Sequence, residues 1–340
     1  VALSVVVTGA AGFIGMHVVE RLLDRGEEVV GVDNLTPYYD PTLKKARVDR
    51  LTSRQRFTFH SNDIADASAF QTTVRNAGAE RIVHLAAQAG VRYSLEKPFA
   101  YEHSNVAGHL SVLETARRAP KMHLVYASSS SVYGDRPLNS AGFSEDDPVD
   151  LPASLYAATK RASELMSGTY SKLFGLRQSG LRFFTVYGPW GRPDMAYFSF
   201  TRKILAGQPI EVFGAGRMAR DFTFIDDIVD GVIGVLDRPP DHGEHRILNI
   251  GNNRPVGLMD MIATLERELG KPAEKIMKPM QPGDVTATFA DISRINALTG
   301  YTPRTSIEEG LRAFVAWYKD YFHAALKVVE RPGSGRKLGG

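Results

Sequence analysis

The sequence predicts an α/β protein, a doubly wound parallel sheet followed by a smaller C-terminal lobe that closes over a ligand. Three observations predict it. Short apolar runs alternate with helical patterns through the first half of the chain. The first run opens into a glycine-rich turn and the second ends on an aspartate, the order of a βαβ unit. From Phe183 onward the alternation becomes irregular and the loops lengthen.

Leu3 to Val7 is apolar apart from Ser4, which suits a strand buried on both faces. Thr8-Gly9-Ala10-Ala11-Gly12-Phe13-Ile14-Gly15 follows, then an amphipathic helix to about Asp24. Val29 to Val32 is the second strand and ends at Asp33. Glycines let backbone amides approach a pyrophosphate at the positive end of a helix. Gly9, Gly12, Phe13, Ile14 and Gly15 are therefore expected to cradle a dinucleotide, although G-x-x-G-x-x-G departs from the commoner G-x-G-x-x-G. Asp33 can accept both ribose hydroxyls of NAD and would repel the 2′-phosphate of NADP, so NAD is the expected cofactor.

The alternation continues through a strand from Arg56 to His60, a helix from Asp66 to Asn76 and a strand from Arg81 to Leu85. Asp63 and Ile64 are placed for an adenine contact. Leu85, Ala86 and Ala87 offer small residues and backbone to the cofactor. Asn34 and Asn105 join the cofactor set. His84 is read as a satisfied strand histidine. A helix from Val106 to Arg118 and a strand from Met122 to Ala127 lead to Ser128-Ser129-Ser130-Ser131. A serine run after a parallel strand lies where α/β sheets bind ligands, at the carboxyl ends of strands.

Composition narrows the class. The chain has 340 residues, and its 41 basic and 38 acidic side chains leave a net charge of +3, too small and dispersed for a nucleic-acid partner. Without cysteine, disulfides and thiolate metal sites are excluded, and no metal is expected. No apolar run approaches the ~18–20 residues of a membrane span. With an apolar strand at the outset and no leader pattern before it, a cytoplasmic location is expected.

Ser154 to Lys160 carries the chemistry. A helix places Tyr156 and Lys160 one above the other. An ammonium one turn away is expected to favour the phenolate and lower the tyrosine pKa. The pair could then move a proton to or from a sugar hydroxyl.

Together these residues resemble the extended short-chain dehydrogenase/reductases, in their nucleotide-sugar epimerase branch. The Gly9/Gly12/Gly15 turn, Asp33, the serine run before Val132-Tyr133-Gly134, Tyr156 with Lys160, residues 181–189, Arg220-Asp221-Phe222 and Asp226-Asp227 carry the resemblance. It implies a Rossmann domain, tightly bound NAD, catalytic Tyr156, Lys160 and Ser129, and a homodimer pairing the Val106–Arg118 helix with the Tyr156 helix. Ser129 would bond the sugar's 4-hydroxyl. The expected division is 1–184 with 222–253 for the NAD domain, 185–221 with 254–325 for the UDP-sugar lobe, and 326–340 as a flexible tail.

For the substrate, Arg217 and Arg220 could clamp a diphosphate, and Arg220 matches the phosphate-binding arginine of the branch. Arg92, Val212, Phe213 and Asp284 complete the expected substrate set. Related dehydratases carry an Asp-Glu pair where this chain has Ser130-Ser131, which disfavours dehydration. UDP-glucose 4-epimerase, UDP-glucuronate 4-epimerase and UDP-glucuronate decarboxylase stay open, beside a non-catalytic NAD-binding regulator on the same fold. Thr185 in place of the asparagine of hexose epimerases, Gln281 where they often carry a basic residue, the run from Thr36 to Asp40 and residues 185–195 favour UDP-glucuronate. Ser129, Ser130, Ser131 and Thr185, with Arg192, could hold its carboxylate.

Overall fold

Seven parallel strands form the main sheet of the computed structural model, which describes residues 4–135, 142–280 and 287–329. The strands are β1 (Val5–Thr8), β2 (Val29–Val32), β3 (Phe57–His60), β4 (Arg81–His84), β5 (His123–Ser129), β6 (Arg177–Phe183) and, late in the chain, β10 (His245–Ile250). Their order is β3-β2-β1-β4-β5-β6-β10. Val5 of β1 stands opposite Val29 of β2 on one side and Arg81 of β4 on the other. The order reverses between β1 and β4, which opens a crevice at their carboxyl ends.

Helices cover both faces, as a parallel sheet requires. Val5 and Val7 pack with α1 (Phe13–Asp24) and with α9 (Ile225–Leu236), which returns the chain to this domain. Val6, pointing the other way, packs with Phe70 of α3 (Ala67–Ala77) and Val112 of α6 (Gly108–Ala116). Each such buried valine contributes roughly 1.5–3 kcal/mol.

Local signals set the helix ends. Ser154 caps α7 (Leu155–Phe174), its hydroxyl accepting from the Ala157 amide at 3.1 Å, and left-handed Gly175 ends it. The long last helix, α12 (Ile307–Val329), opens with a reciprocal box between Ser306 and Glu309. It continues through residues 326–329, which were expected in the tail; residues 330–340 lie outside the described residues.

Two elements differ from expectation. Pro41–Thr52 is a helix, α2, opened by the Asp40 side chain and by proline in its first turn. The helix expected from Val106 starts earlier: α4 (Tyr93–Glu96) and α5 (Pro98–Tyr101) lead into a π-helical turn, Glu102–Ala107, before α6.

The smaller lobe holds two sheets. In one, β9 (Ala219–Phe224) pairs with β7 (Thr185–Tyr187), β11 (Pro255–Gly257) and β13 (Ala287–Thr288). Strand β9 stays in this sheet through Phe224, and α9, which packs with α1, follows it directly. In the other, β8 (Ile210–Phe213) pairs with β12 (Lys275–Lys278). Helices α8 (Ala196–Leu205), α10 (Leu258–Leu269) and α11 (Ser293–Thr299) complete the described elements. No described helix is long and apolar enough to cross a membrane.

Candidate active site

A cleft of about 810 Å³ runs along the carboxyl ends of β1, β4, β5 and β6 and continues under the smaller lobe. Its first part is the glycine turn. A Cβ on Gly9, whose φ is +72°, would sit 2.7 Å from the Ala86 amide nitrogen, and one on Gly15 would sit 2.0 Å from the Gly9 carbonyl oxygen. Only glycine permits this packing. Gly12 is the N-cap of α1, and no side chain caps that end. The first amides of α1 are thus left for an anionic ligand.

Asp33 stands 6% exposed at the end of β2. One oxygen accepts from the Ala11 amide at 3.2 Å and keeps a lone pair for the cleft, while the other accepts from the Leu35 amide at 2.8 Å and from Lys44. Lys44 of α2, which also lines the cleft, lies 3.4 Å from it. Gly9, Gly12, Phe13, Ile14, Gly15, Asn34, Asp63, Ile64, Leu85, Ala86 and Ala87 line the same part. Asn34 donates to Asp63 at 3.0 Å, joining the two. An open helix end, a glycine cradle and a buried carboxylate fit an adenine dinucleotide.

Asn105 of the expected cofactor set lies off the cleft wall. It is 2% exposed and spent on its neighbours: it exchanges bonds of 2.8 and 3.0 Å with the Gln88 backbone and donates to Thr159. It braces the segment after β4 against α7 instead of reaching the cleft. His84 is satisfied by Thr8 at 2.8 Å, as expected.

The middle of the cleft gathers Ser129, Ser130, Ser131, Tyr156, Lys160 and Thr185. Ser129 ends β5, and Ser130–Tyr133 begins a 3-10 turn. The pKa of Tyr156 is shifted up rather than lowered as expected. Burial pushes its phenol up, while bonding to Ser129 and the charge of Arg192 pull it back. Lys160 points past it, donating to the Ala127 carbonyl at 2.8 Å, and burial lowers its own pKa to about 8. Behind them Glu164 accepts from Ser128 at 2.6 Å and from both ends of Arg182 at 2.8 and 2.9 Å. This buried bidentate pair ties β6 to α7, and the Ser128 bond brings the end of β5 to the same carboxylate.

At the far end Arg92 lies over the Phe213 ring, 5.0 Å from its centre, and Arg220 lines the wall nearby. One expected substrate residue falls elsewhere. Strand β8 alternates, so Phe213 and Glu211 face the cleft while Val212 is fully buried in the core. Asp284, with Gln281, lies outside the described residues. Arg217 is exposed and off the cleft wall. Arg192 lines the cleft but grips Asp194 through two bonds, 3.1 and 2.5 Å, and Tyr38 donates to the same carboxylate at 3.1 Å.

Residues 5–251 match the model of the NAD dependent epimerase/dehydratase family. The chain belongs to the NAD dependent epimerase/dehydratase family. Among relatives in this family, a probable UDP-glucuronate 4-epimerase of Rhizobium meliloti is 45% identical over 95% of this chain and 99% of its own. UDP-glucuronate 4-epimerase 3 of Arabidopsis thaliana is 47% identical over 96% of this chain and 79% of its own. The crystal structure of UDP-glucuronic acid 4-epimerase from Bacillus cereus, in complex with UDP-glucuronic acid and NAD, superposes with a TM-score of 0.86. It is 35% identical and covers 94% of this chain and 100% of its own. Lys44, Arg47 and Asp194 were not singled out from sequence. The arginine-aspartate spacing at 192 and 194 was the available signal.

Proposed function

We propose that this protein inverts C4 of UDP-glucuronate to give UDP-galacturonate, using NAD, through a 4-keto sugar. One observation carries the reading. Ser130, Ser131, Thr185 and Arg192, groups able to hold a carboxylate, line the same cleft as Tyr156 and Ser129. The relatives named UDP-glucuronate 4-epimerase support it.

Gly9, Gly12, Gly15 and Asp33 would hold NAD. When bound, NAD supplies the hydride acceptor and donor at C4 and, oxidised, a positive ring charge that favours the phenolate. Tyr156 takes the O4 proton as the C4 hydride leaves, forming the ketone. Ser129 holds O4 beside the phenol. The sugar then turns over, the hydride returns to its other face, and Tyr156 returns the proton. No net redox change remains. Lys160 orients the region from the Ala127 carbonyl. Arg220 and Arg92 take the diphosphate end. Ser130 and Ser131 have neither an acid for a leaving hydroxyl nor a base for a carbon-bound proton, so water is not lost.

A 4-keto uronate is a β-keto acid and loses CO₂ readily when the breaking bond stands perpendicular to the ketone plane. Hydrogen bonds from the serines, Thr185 and Arg192 would hold the carboxylate out of that alignment. Incubation with UDP-glucuronate, UDP-glucose and UDP-galactose separately, with products identified by NMR, tests the substrate. Equal turnover of UDP-glucose would remove the carboxylate from the argument.

The same reading includes a two-fold dimer through α6 and α7. Leu110 on α6 and Leu165 and Leu173 on α7 are exposed. Closed two-fold dimers are the commonest oligomers. Light scattering at micromolar concentration should return twice the chain mass; a monomer mass would contradict the pairing.

A further inference from the structure

Arg47 of α2 is fully buried, and it touches both halves of the cleft. One terminal nitrogen donates to the Ala11 carbonyl of the glycine turn at 3.0 Å and to the Tyr39 hydroxyl at 2.6 Å. The other donates to the carbonyls of Trp190, at 2.5 Å, and Gly191, at 3.2 Å. Arg192 follows directly. Every acceptor is neutral, Nε finds no partner, and among the described residues no carboxylate lies within ion-pair distance.

Burying a charge on neutral acceptors is costly. A methionine of similar length would fill the space without that cost, so stability does not account for a guanidinium here. Its geometry does: a planar fork can hold two segments in fixed register, which a point charge on a flexible stem cannot. The segment it holds also resists its own conformation. Trp190 has φ +60°, a left-handed backbone that a bulky residue rarely adopts. His17 of α1 grips the preceding carbonyl, Pro189, at 3.1 Å. Three successive carbonyls of the loop are therefore tied down by the first two helices of the NAD domain.

We propose that Arg47 is a positioning residue that couples the glycine turn to the loop carrying Arg192 and Asp194, and so sets how the enzyme recognises the substrate carboxylate. This rests on UDP-glucuronate as the substrate. Arg47 acts through Arg192, so its loss should fall on uronate recognition and leave the rest of the UDP-sugar site in place.

The test is calorimetric binding of UDP-glucuronate and UDP-glucose to NAD-loaded wild type, Arg47→Met, Arg192→Ala and the double variant. Arg47→Met should lose about tenfold or more in UDP-glucuronate affinity, with UDP-glucose affinity held within about threefold. In the Arg192→Ala background the same change should cost UDP-glucuronate less than about threefold, since residues acting as one unit are not additive. Parallel loss for both sugars, or a full further loss in the Arg192→Ala background, would make Arg47 a general scaffold residue and overturn the proposal. Arg47→Lys keeps the charge and loses the fork; it provides the same test if Arg47→Met does not fold. Selective loss of UDP-glucuronate affinity is expected, and wild-type selectivity in Arg47→Lys would overturn the coupling. Wild type that neither prefers nor converts UDP-glucuronate sinks the substrate reading instead, whichever way the variants behave.

Discussion

The ammonium of Lys160 donates to the carbonyl of Ala127 at 2.8 Å, and Tyr156, one turn earlier, lines the same cleft as Ser129. Helical spacing brings the two residues to one cleft, but burial governs both. It raises the phenol and lowers the ammonium to about 8. Burial by itself therefore favours the neutral phenol.

Lys160 makes stability pH-dependent with a definite sign. Its pKa is about 8 folded, against 10.5 for the ordinary side chain. Between those values the unfolded chain binds more protons, so stability rises with pH through that window. Below it both states are charged and folding bears the whole cost of burial. Urea unfolding of wild type and Lys160→Met at about pH 7.5 and about pH 10 isolates this contribution. Wild type should gain relative to the variant as pH rises; a constant difference would contradict it.

Tyr156→Phe removes the proton acceptor and leaves the glycine cradle intact. Turnover should fall by about 10²–10⁴-fold, with NAD content of the purified protein unchanged. Rate measurement beside cofactor extraction checks both halves. Near-normal turnover would sink the assignment of Tyr156 as base.

Asp33→Ala removes a carboxylate with a free lone pair at the ribose end of the cleft. Charge-assisted bonds of this kind are worth about 1.5–3 kcal/mol, so NAD should bind roughly 10–100-fold more weakly. Preference for NAD over NADP should shrink as well. Wild type that retains NADP would contradict the role given to Asp33.

Much of the large domain was legible because its signals are local. A run such as Val5 to Val7 can only be buried on both faces, and the glycines at 9, 12 and 15 mark a turn where backbones nearly touch. Helix α2 was not legible, because Lys44 and Arg47 occupy core-facing positions and erase the apolar stripe. Their reason for being inside is tertiary: one faces Asp33, the other the loop at Trp190. Val212 was misplaced for the opposite reason. A short strand between glycines shows no face until its partner is known, and alternation gives the cleft to Phe213. The bonds of Asn105 to the Gln88 backbone join residues 17 apart in sequence, and no local pattern announces them. The ion pair of Arg192 with Asp194 is two residues apart in sequence, and only the loop's turn closes it.

The most direct test of the central claim follows the substrate's carboxyl carbon. UDP-glucuronate labelled with ¹³C at C6 is incubated with the NAD-loaded protein and watched by NMR. The label is predicted to stay on the sugar as UDP-galacturonate accumulates, and Arg192→Ala is predicted to turn over more slowly while sending a larger share to CO₂ and UDP-pentose. Release of most of the label as CO₂ by wild type would make the protein a decarboxylase and contradict the account.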